Sequence, residues 1–386
     1  MHTTADIVII GGGIVGSSIA WHLTEQGCTN VIVLEREQHT GKGSTGKSMG
    51  GVRAQFSTRV NIQMSLYSIP FYAAFDEVIG YPSGYKPQGY LFMATKPAHL
   101  DYLRTNLELQ TSLGLKNAGL ISQDDIIRIC PQLQSDDILG GSFCSTDGFV
   151  DPYSVMNGFM ERAMERGVRL IRSAEVNGIS VHSGKVAGVS TAEVEISAPV
   201  VVNAAGAWAA SVARLAGVDL PVYPMRRMLV PTEPFDELEK SLPMIIDMSN
   251  GFHFRPEGAG FLMAWNDPEE QPGFKTNFDP AFIEKILTRA VARVPAFENV
   301  PVNPRRAWAG LYEMSPDHHG ILGPVHELEG FYLANGFSGH GVMHSPATGR
   351  VLADLILKGA TDITDARAFN LARFAEGRAL HETALL

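Results

Sequence analysis

The chain has 386 residues, 45% of them hydrophobic, more than a single core usually serves, so two interwoven domains are expected. Its 31 basic and 41 acidic side chains leave a net charge of −10 with no basic block, which argues against nucleic acid or an anionic membrane surface as a partner. Cys28, Cys130 and Cys144 are odd in number and far apart, a pattern of reduced thiols rather than of a disulfide framework.

The first residues, MHTTADIVIIGGG, carry no basic n-region or long apolar stretch, and no later segment reaches the roughly 18 apolar residues of a membrane span. A cytoplasmic location is expected. Asp6 to Ile10 reads as a short apolar strand, Ile14 to Gln26 as a helix with Val15, Ile19 and Leu23 at helical spacing, and Asn30 to Glu35 as a second strand. This is a β-α-β unit, with a right-handed crossover. A further α/β block opens at Asp151, placed as N-cap before Pro152, and runs through a helix to Gly167 and on to the strand Val200-Val201-Val202. The last block holds a strand at 331–334, a glycine-rich loop, and a helix from about Ser345 to Gly359. Between these blocks, 81–144 and 216–320 are richer in Pro, aromatics and charge; alternation such as Phe252, Phe254 and Phe261, Met263 suits antiparallel strands. The expected fold class is therefore α/β: a discontinuous Rossmann-type nucleotide domain (1–80, 145–215, 321–386) and an α+β substrate domain rich in antiparallel sheet (81–144, 216–320).

Gly11, Gly13 and Gly16 form Gly-x-Gly-x-x-Gly directly between strand and helix. Gly11 makes the tight turn, Gly13 admits a pyrophosphate to the backbone, and Gly16 lets helix and strand pack closely. The helix start offers N–H groups and a positive dipole end to the phosphates. Glu35 ends the second strand 19 positions after Gly16, where a carboxylate accepts hydrogen bonds from a ribose diol and disfavours an additional 2′-phosphate. Contacts to a dinucleotide are expected from Gly11, Gly12, Gly13, Ile14, Val15 and Gly16, and from Glu35 and Arg36. The fingerprint does not separate NAD from FAD, but a C-terminal strand and glycine loop, NGFSGHG, is more than one NAD-binding unit needs. In that loop Gly339 and Gly341 permit close backbone approach, and the helix that follows directs its positive end at whatever lies above it.

Together, IVIIGGGIVG, GSTGKSMGGVR, VVNAAGAW, WAGLYEMSPD and NGFSGHGVMHSPATG resemble the D-amino-acid oxidase superfamily of FAD proteins. The branch they resemble holds sarcosine oxidase, glycine oxidase and the dye-linked proline dehydrogenase β-subunit. The motifs follow the family's order along nearly the whole chain. The resemblance implies bound FAD, with Ser44 and Thr45 under the pyrophosphate and Gly50 and Gly51 beside the isoalloxazine. It further implies that the backbone of Val176 meets the adenine, that Ala205 and Trp208 make a second dinucleotide contact, and that Gly339, Gly341 and Met343 lie along the flavin. Arg53 falls where relatives place arginines near flavin and substrate carboxylate. His253 and Tyr312 fall at active-site tyrosines, Asn266 at a histidine, and His340 in the flavin loop; Arg255 shares strand parity with His253. Gly310 stands where monomeric sarcosine oxidases attach flavin through cysteine, so non-covalent FAD is expected.

The implied activity is oxidation of the C–N bond of a small amino acid or secondary amine of the sarcosine, dimethylglycine, proline or glycine class. Hydride transfer to flavin gives an imine that hydrolyses. Oxidation of a 2-hydroxy acid, or a non-catalytic or tRNA-modifying flavoprotein module, stays open as an alternative. Met343 stands where sarcosine oxidases carry a lysine that assists oxygen, so a quinone, dye or partner flavoprotein is expected to compete with oxygen as acceptor, with a homo- or hetero-oligomer in view. His340 or His344, if protonated, would supply the missing charge. No metal site is expected.

Overall fold

The computed structural model describes residues 2–383. Six strands form one sheet in the order Ile321–Pro324, Phe331–Asn335, Val200–Asn203, Ile7–Ile10, Val31–Leu34, Arg169–Ile171. All neighbours are parallel except the first two. Such a sheet must be covered on both faces, which explains the unbroken apolar runs IVII and VIVL. On one face Ile7 and Ile9 pack with the helices Ile14–Glu25, Pro152–Glu165 and Gly341–Lys358. On the other face Val8 and Ile10 meet Val186, Val189 and Ile196 of a four-stranded sheet.

Asp151 caps its helix as expected, accepting the N–H groups of Tyr153 and Ser154 through one carboxylate oxygen. The last helix departs from expectation: it begins at Gly341, four residues before Ser345, and carries Pro346 inside. Pro346 has no N–H for the carbonyl of Val342, and Tyr72 supplies a hydroxyl instead, Oη to Val342 O at 2.6 Å. A tertiary contact thus extends the helix back to the glycine loop.

The second large sheet has eight strands, drawn from 90–144 and 223–314. Its order is Trp308–Met314, Tyr223–Pro231, Gly260–Ala264, His253–Glu257, Met244–Asp247, Tyr90–Ala94, Gly140–Cys144, Ala118–Ile121, antiparallel but for the parallel pair Met244–Asp247 with Tyr90–Ala94. One face, with Phe254, Phe261 and Met263, buries against Phe282 and Ile286 of the helix Ala281–Arg293. By alternation the opposite face presents His253, Ala264, Leu229, Arg227, Gly310 and Tyr312, which the register brings side by side. Among the described residues no helix is long and apolar enough to cross a membrane.

Candidate active site

A cavity of about 370 Å³ runs from the glycine fingerprint to that polar sheet face. At one end Gly11, Gly13, Ile14 and Val15 line it, with Glu35, Arg36 and Val176 nearby on the wall. Gly11 has φ +111°, and a Cβ there would lie 2.3 Å from the carbonyl of Ala204. Only glycine fits that crossing of first helix turn and strand end. Gly13, the N-cap, offers no side chain to the helix start, and the N–H of Ile14 is held by Thr45 Oγ1 at 3.1 Å. Glu35 accepts the N–H groups of Gly12 at 3.1 Å and Glu37 at 2.9 Å, which fixes the loop while leaving lone pairs for further donors. The guanidinium of Arg36 lies 3.7 Å over the ring of Trp208, itself stacked on Phe274.

Ser44, Thr45, Ala205, Trp208, Gly339 and Gly341 also line the cavity, so both helix starts named from the sequence open onto one space. At the far end stand His253, Asn266 and Tyr312. His253 points Nδ1 at the carbonyl of Gly251, 2.9 Å away, which leaves Nε2 as an acceptor. Burial lowers its pKa to about 4, so the ring is neutral near pH 7.

Several residues chosen from the sequence are not on the cavity wall. Gly12 and Gly16 act behind it, Gly12 through Glu35, and Gly16 because a Cβ there would meet the carbonyl of Gly11. Gly50 and Gly51 are required by packing: added Cβ atoms would lie 2.3 Å from Val150 O and 1.9 Å from Tyr90 Oη. Met343 joins the helix-side core while its neighbour Val342 faces the cavity. Arg255 shares the face of His253, but its guanidinium is held by the carbonyls of Met49 and Pro256 and by Glu257.

Arg53 is buried at 1% exposure, one layer behind the wall, its Nη2 3.4 Å from His340 Nε2 and its guanidinium over Phe56. His340 and His344 supply no positive charge. Burial first, and the adjacent Arg53 second, push His340 well below 6.5 and His344 to about 3.

At the end of the cavity near Tyr312 the wall carries a cation that the sequence reading passed over, Arg227. It lies across from Gly310 in the register, with its guanidinium 5.3 Å from the centre of the Tyr312 ring. Its neighbour Arg226 points the other way and pairs with Glu270. The signal available was Arg226-Arg227 inside an otherwise apolar strand, where alternation must send one arginine inward. Arg227 Nε is shut off from solvent and has no hydrogen-bond partner among the described residues. The carboxylates whose charge bears on it serve elsewhere, Glu270 on Arg226 and Lys275, Asp267 on Lys285. Glu313 is another wall residue not foreseen.

Residues 6–355 match the FAD dependent oxidoreductase (DAO) family. The chain belongs to the FAD-dependent oxidoreductase family. It is 31% identical over 416 residues to FAD-dependent oxidoreductase domain-containing protein 1 of Xenopus laevis, covering 96% of this chain and 82% of that protein. It is 30% identical to the mitochondrial dimethylglycine dehydrogenase of Rattus norvegicus, over 92% of this chain but only 43% of that longer enzyme. Among solved structures, L-proline dehydrogenase from P. horikoshii superposes with a TM-score of 0.91 at 30% identity, covering 98% of this chain and 99% of that one. Glycine oxidase from Geobacillus kaustophilus gives 0.85 at 24% identity, which speaks for the fold. FAD is thus the cofactor, and the cavity fits it. A glycine turn that admits backbone contact, a first helix turn without an N-cap side chain, and a carboxylate at Glu35 suit its ADP half. The second helix start at Gly341 suits the negative charge of a reduced flavin.

Proposed function

We propose that this FAD-dependent oxidoreductase oxidises the C–N bond of a small α-amino acid, secondary or primary, whose carboxylate is held by Arg227. The observation that carries this reading is the guanidinium of Arg227 on the cavity wall: Nη1 donates to the carbonyl of Arg226 at 3.1 Å, but among the described residues Nε has no hydrogen-bond partner and no carboxylate forms a salt bridge with it. A desolvated cation without a counter-charge is costly, and a carboxylate brought by the substrate removes that cost while fixing the substrate against Tyr312. Bound FAD supplies the two-electron acceptor, so that the substrate carbon gives up its hydrogen with the bonding pair and the nitrogen its proton, and water hydrolyses the resulting imine.

The residues' own contributions follow from their states. Arg227 lowers the pKa of an amine held beside it, favouring the neutral form that oxidation requires. Neutral His253 accepts a hydrogen bond at Nε2 but is too weak a base to keep a proton near pH 7. Arg53 and His340 support the wall from behind. The reading assigns 1–80, 145–215 and 321–386 to FAD, and 81–144 and 216–320 to the substrate.

The test is anaerobic bleaching of the holoenzyme's flavin by amino acids, amines and 2-hydroxy acids. Bleaching is expected with amino acids, not with the same amines lacking a carboxylate. Arg227→Ala is expected to weaken the effective amino acid about 30-fold or more, with FAD content unchanged. Equal bleaching by wild type and variant would remove Arg227 from the site, and bleaching by hydroxy acids alone would replace C–N with C–O oxidation.

A further inference from the structure

Between the strand Gly260–Ala264 and the helix Ala281–Arg293 the chain runs through 265–280 without helix or strand of its own. A connection of that length in a compact fold is uncommon and usually serves as a lid or a binding loop. Its root is on the cavity wall at Trp265 and Asn266, the end where His253 and Tyr312 stand. Ion pairs tie it to neighbours around the eight-stranded sheet: Asp267 and Glu269 to Lys285 of the helix that follows, and Glu270 to Arg226 of the strand Tyr223–Pro231. The N–H of Gly273 donates to the carbonyl of Pro224 at 2.9 Å. The next residue, Phe274, reaches across to the other sheet. Its ring stacks on Trp208, with centroids 5.6 Å and planes 24° apart, and Trp208 belongs to the turn that follows the strand Val200–Asn203.

Trp208 itself lines the cavity, and so do Arg36, whose guanidinium lies 3.7 Å over the Trp208 ring, and Leu215. Arg36 and Leu215 are 34% and 39% exposed, which makes this stretch of wall the cavity's rim, next to Glu35 at the ADP end. Phe274 is 52% exposed, and the stack is its one aromatic contact among the described residues. A contact held this shallowly opens without unpacking a core. The strap is thus pinned firmly at its root and fastened lightly at its tip.

We propose that the strap 265–280 gates the cofactor: with Phe274 on Trp208 the rim at the ADP end is closed, and FAD enters and leaves when the two rings part. Lys275, beside Phe274, pairs with Glu270, which also holds Arg226, so the bend that carries the ring moves as a unit against the sheet edge. A gate of this kind acts on rates. It slows entry and exit together, whereas a direct contact with bound FAD would slow exit alone.

The inference rests on FAD as cofactor and is independent of the substrate. The experiment follows FAD leaving the holoenzyme, as the gain of flavin fluorescence after dilution, and measures the dissociation constant of FAD at equilibrium alongside it. Phe274→Ala is expected to release FAD about two- to tenfold faster, the worth of one aromatic stack, with a smaller change in the dissociation constant because entry speeds up too. Phe274→Trp, which keeps a stacking ring, should release FAD as wild type does. Release from Phe274→Ala at the wild-type rate overturns the proposal, and so does release from Phe274→Trp as fast as from Phe274→Ala. A dissociation constant that rises as much as the release rate also overturns it, because the ring then only steadies bound FAD. Unchanged release with weakened flavin bleaching by amino acids would make the strap a cover for the substrate instead.

Discussion

Arg53 and Arg227 show how little a side chain's chemistry says until its depth is known. Both are arginines whose charge reaches Tyr312, and the motif GGVRAQF marked only the first. Arg53 lies behind the wall against Phe56 and His340, and Arg227 opens onto the cavity beside Tyr312. Gly310 is read at the same scale. It offers no sulfur, and a Cβ at that position would approach Lys47 Cβ to 2.7 Å, so the residue leaves room as well as omitting a bond. FAD is accordingly expected to leave the protein intact when the holoenzyme is precipitated with acid. Flavin that stays with the pellet would reveal a covalent link elsewhere on the wall.

At the scale of elements, the helix Gly341–Lys358 is the informative case. Its sequence contains Pro346 and so reads as starting later than it does. The start at Gly341 depends on Tyr72, a residue of the distant helix Arg59–Ala73, whose hydroxyl also lies 3.0 Å from Ser345 Oγ. Tyr72→Phe would leave the Val342 carbonyl buried without a donor, a loss of about 1–3 kcal/mol. Chemical denaturation of the holoenzyme should register that loss, and FAD should bind less tightly because the disturbed turn opens on the cavity. A variant as stable as wild type would mean that the turn finds another donor. The same helix crosses the first one at Gly349, where a Cβ would lie 2.3 Å from Ser18 Oγ, so a missing side chain sets how closely two cofactor-facing helices approach.

Across the whole molecule, burial of neutral histidines sets a limit on the acid side. His22 and His253 have pKa values lowered to about 4, His344 to about 3, and His340 lies well below 6.5, in each case with burial as the largest cause. Above 6.5 neither folded nor unfolded chain binds these protons. As pH falls from 6.5 toward 4 the unfolded chain takes them up and the folded one does not, so stability is lost on acidification, by up to about 1.4 kcal/mol per histidine per pH unit. Urea midpoints should drop clearly between pH 7.5 and pH 5. Equal midpoints would show that these rings are protonated in the native state.

The electron acceptor is also a property of the assembled molecule. Residue 343, the position that the resemblance links to oxygen, is a methionine in the core rather than a cation, and the rings of His340 and His344 are neutral. Reoxidation of the substrate-reduced enzyme is expected to be slow with oxygen and faster with a quinone or dye, read by stopped-flow absorbance. Rapid reoxidation by oxygen alone would reject a dehydrogenase-type partner. The relatives named mitochondrial leave the cytoplasmic expectation resting on the N-terminal residues only.

The amino-acid sequence by itself determined the cofactor fold, because its signals are local. A glycine fingerprint between strand and helix, Glu35 at a fixed spacing, unbroken apolar runs and Asp151-Pro152 at a helix start act through neighbours a few residues away. Ser44, Thr45, Val176, Trp208, His253, Asn266 and Tyr312 were legible only through ordered motifs, and the folded chain brings them to one cavity. Tertiary structure alone decided which arginine faces that cavity and where the last helix begins. Each of these depends on strand register or on a contact between residues hundreds of positions apart. Side-chain depth and protonation follow from that packing, and no local pattern encodes them.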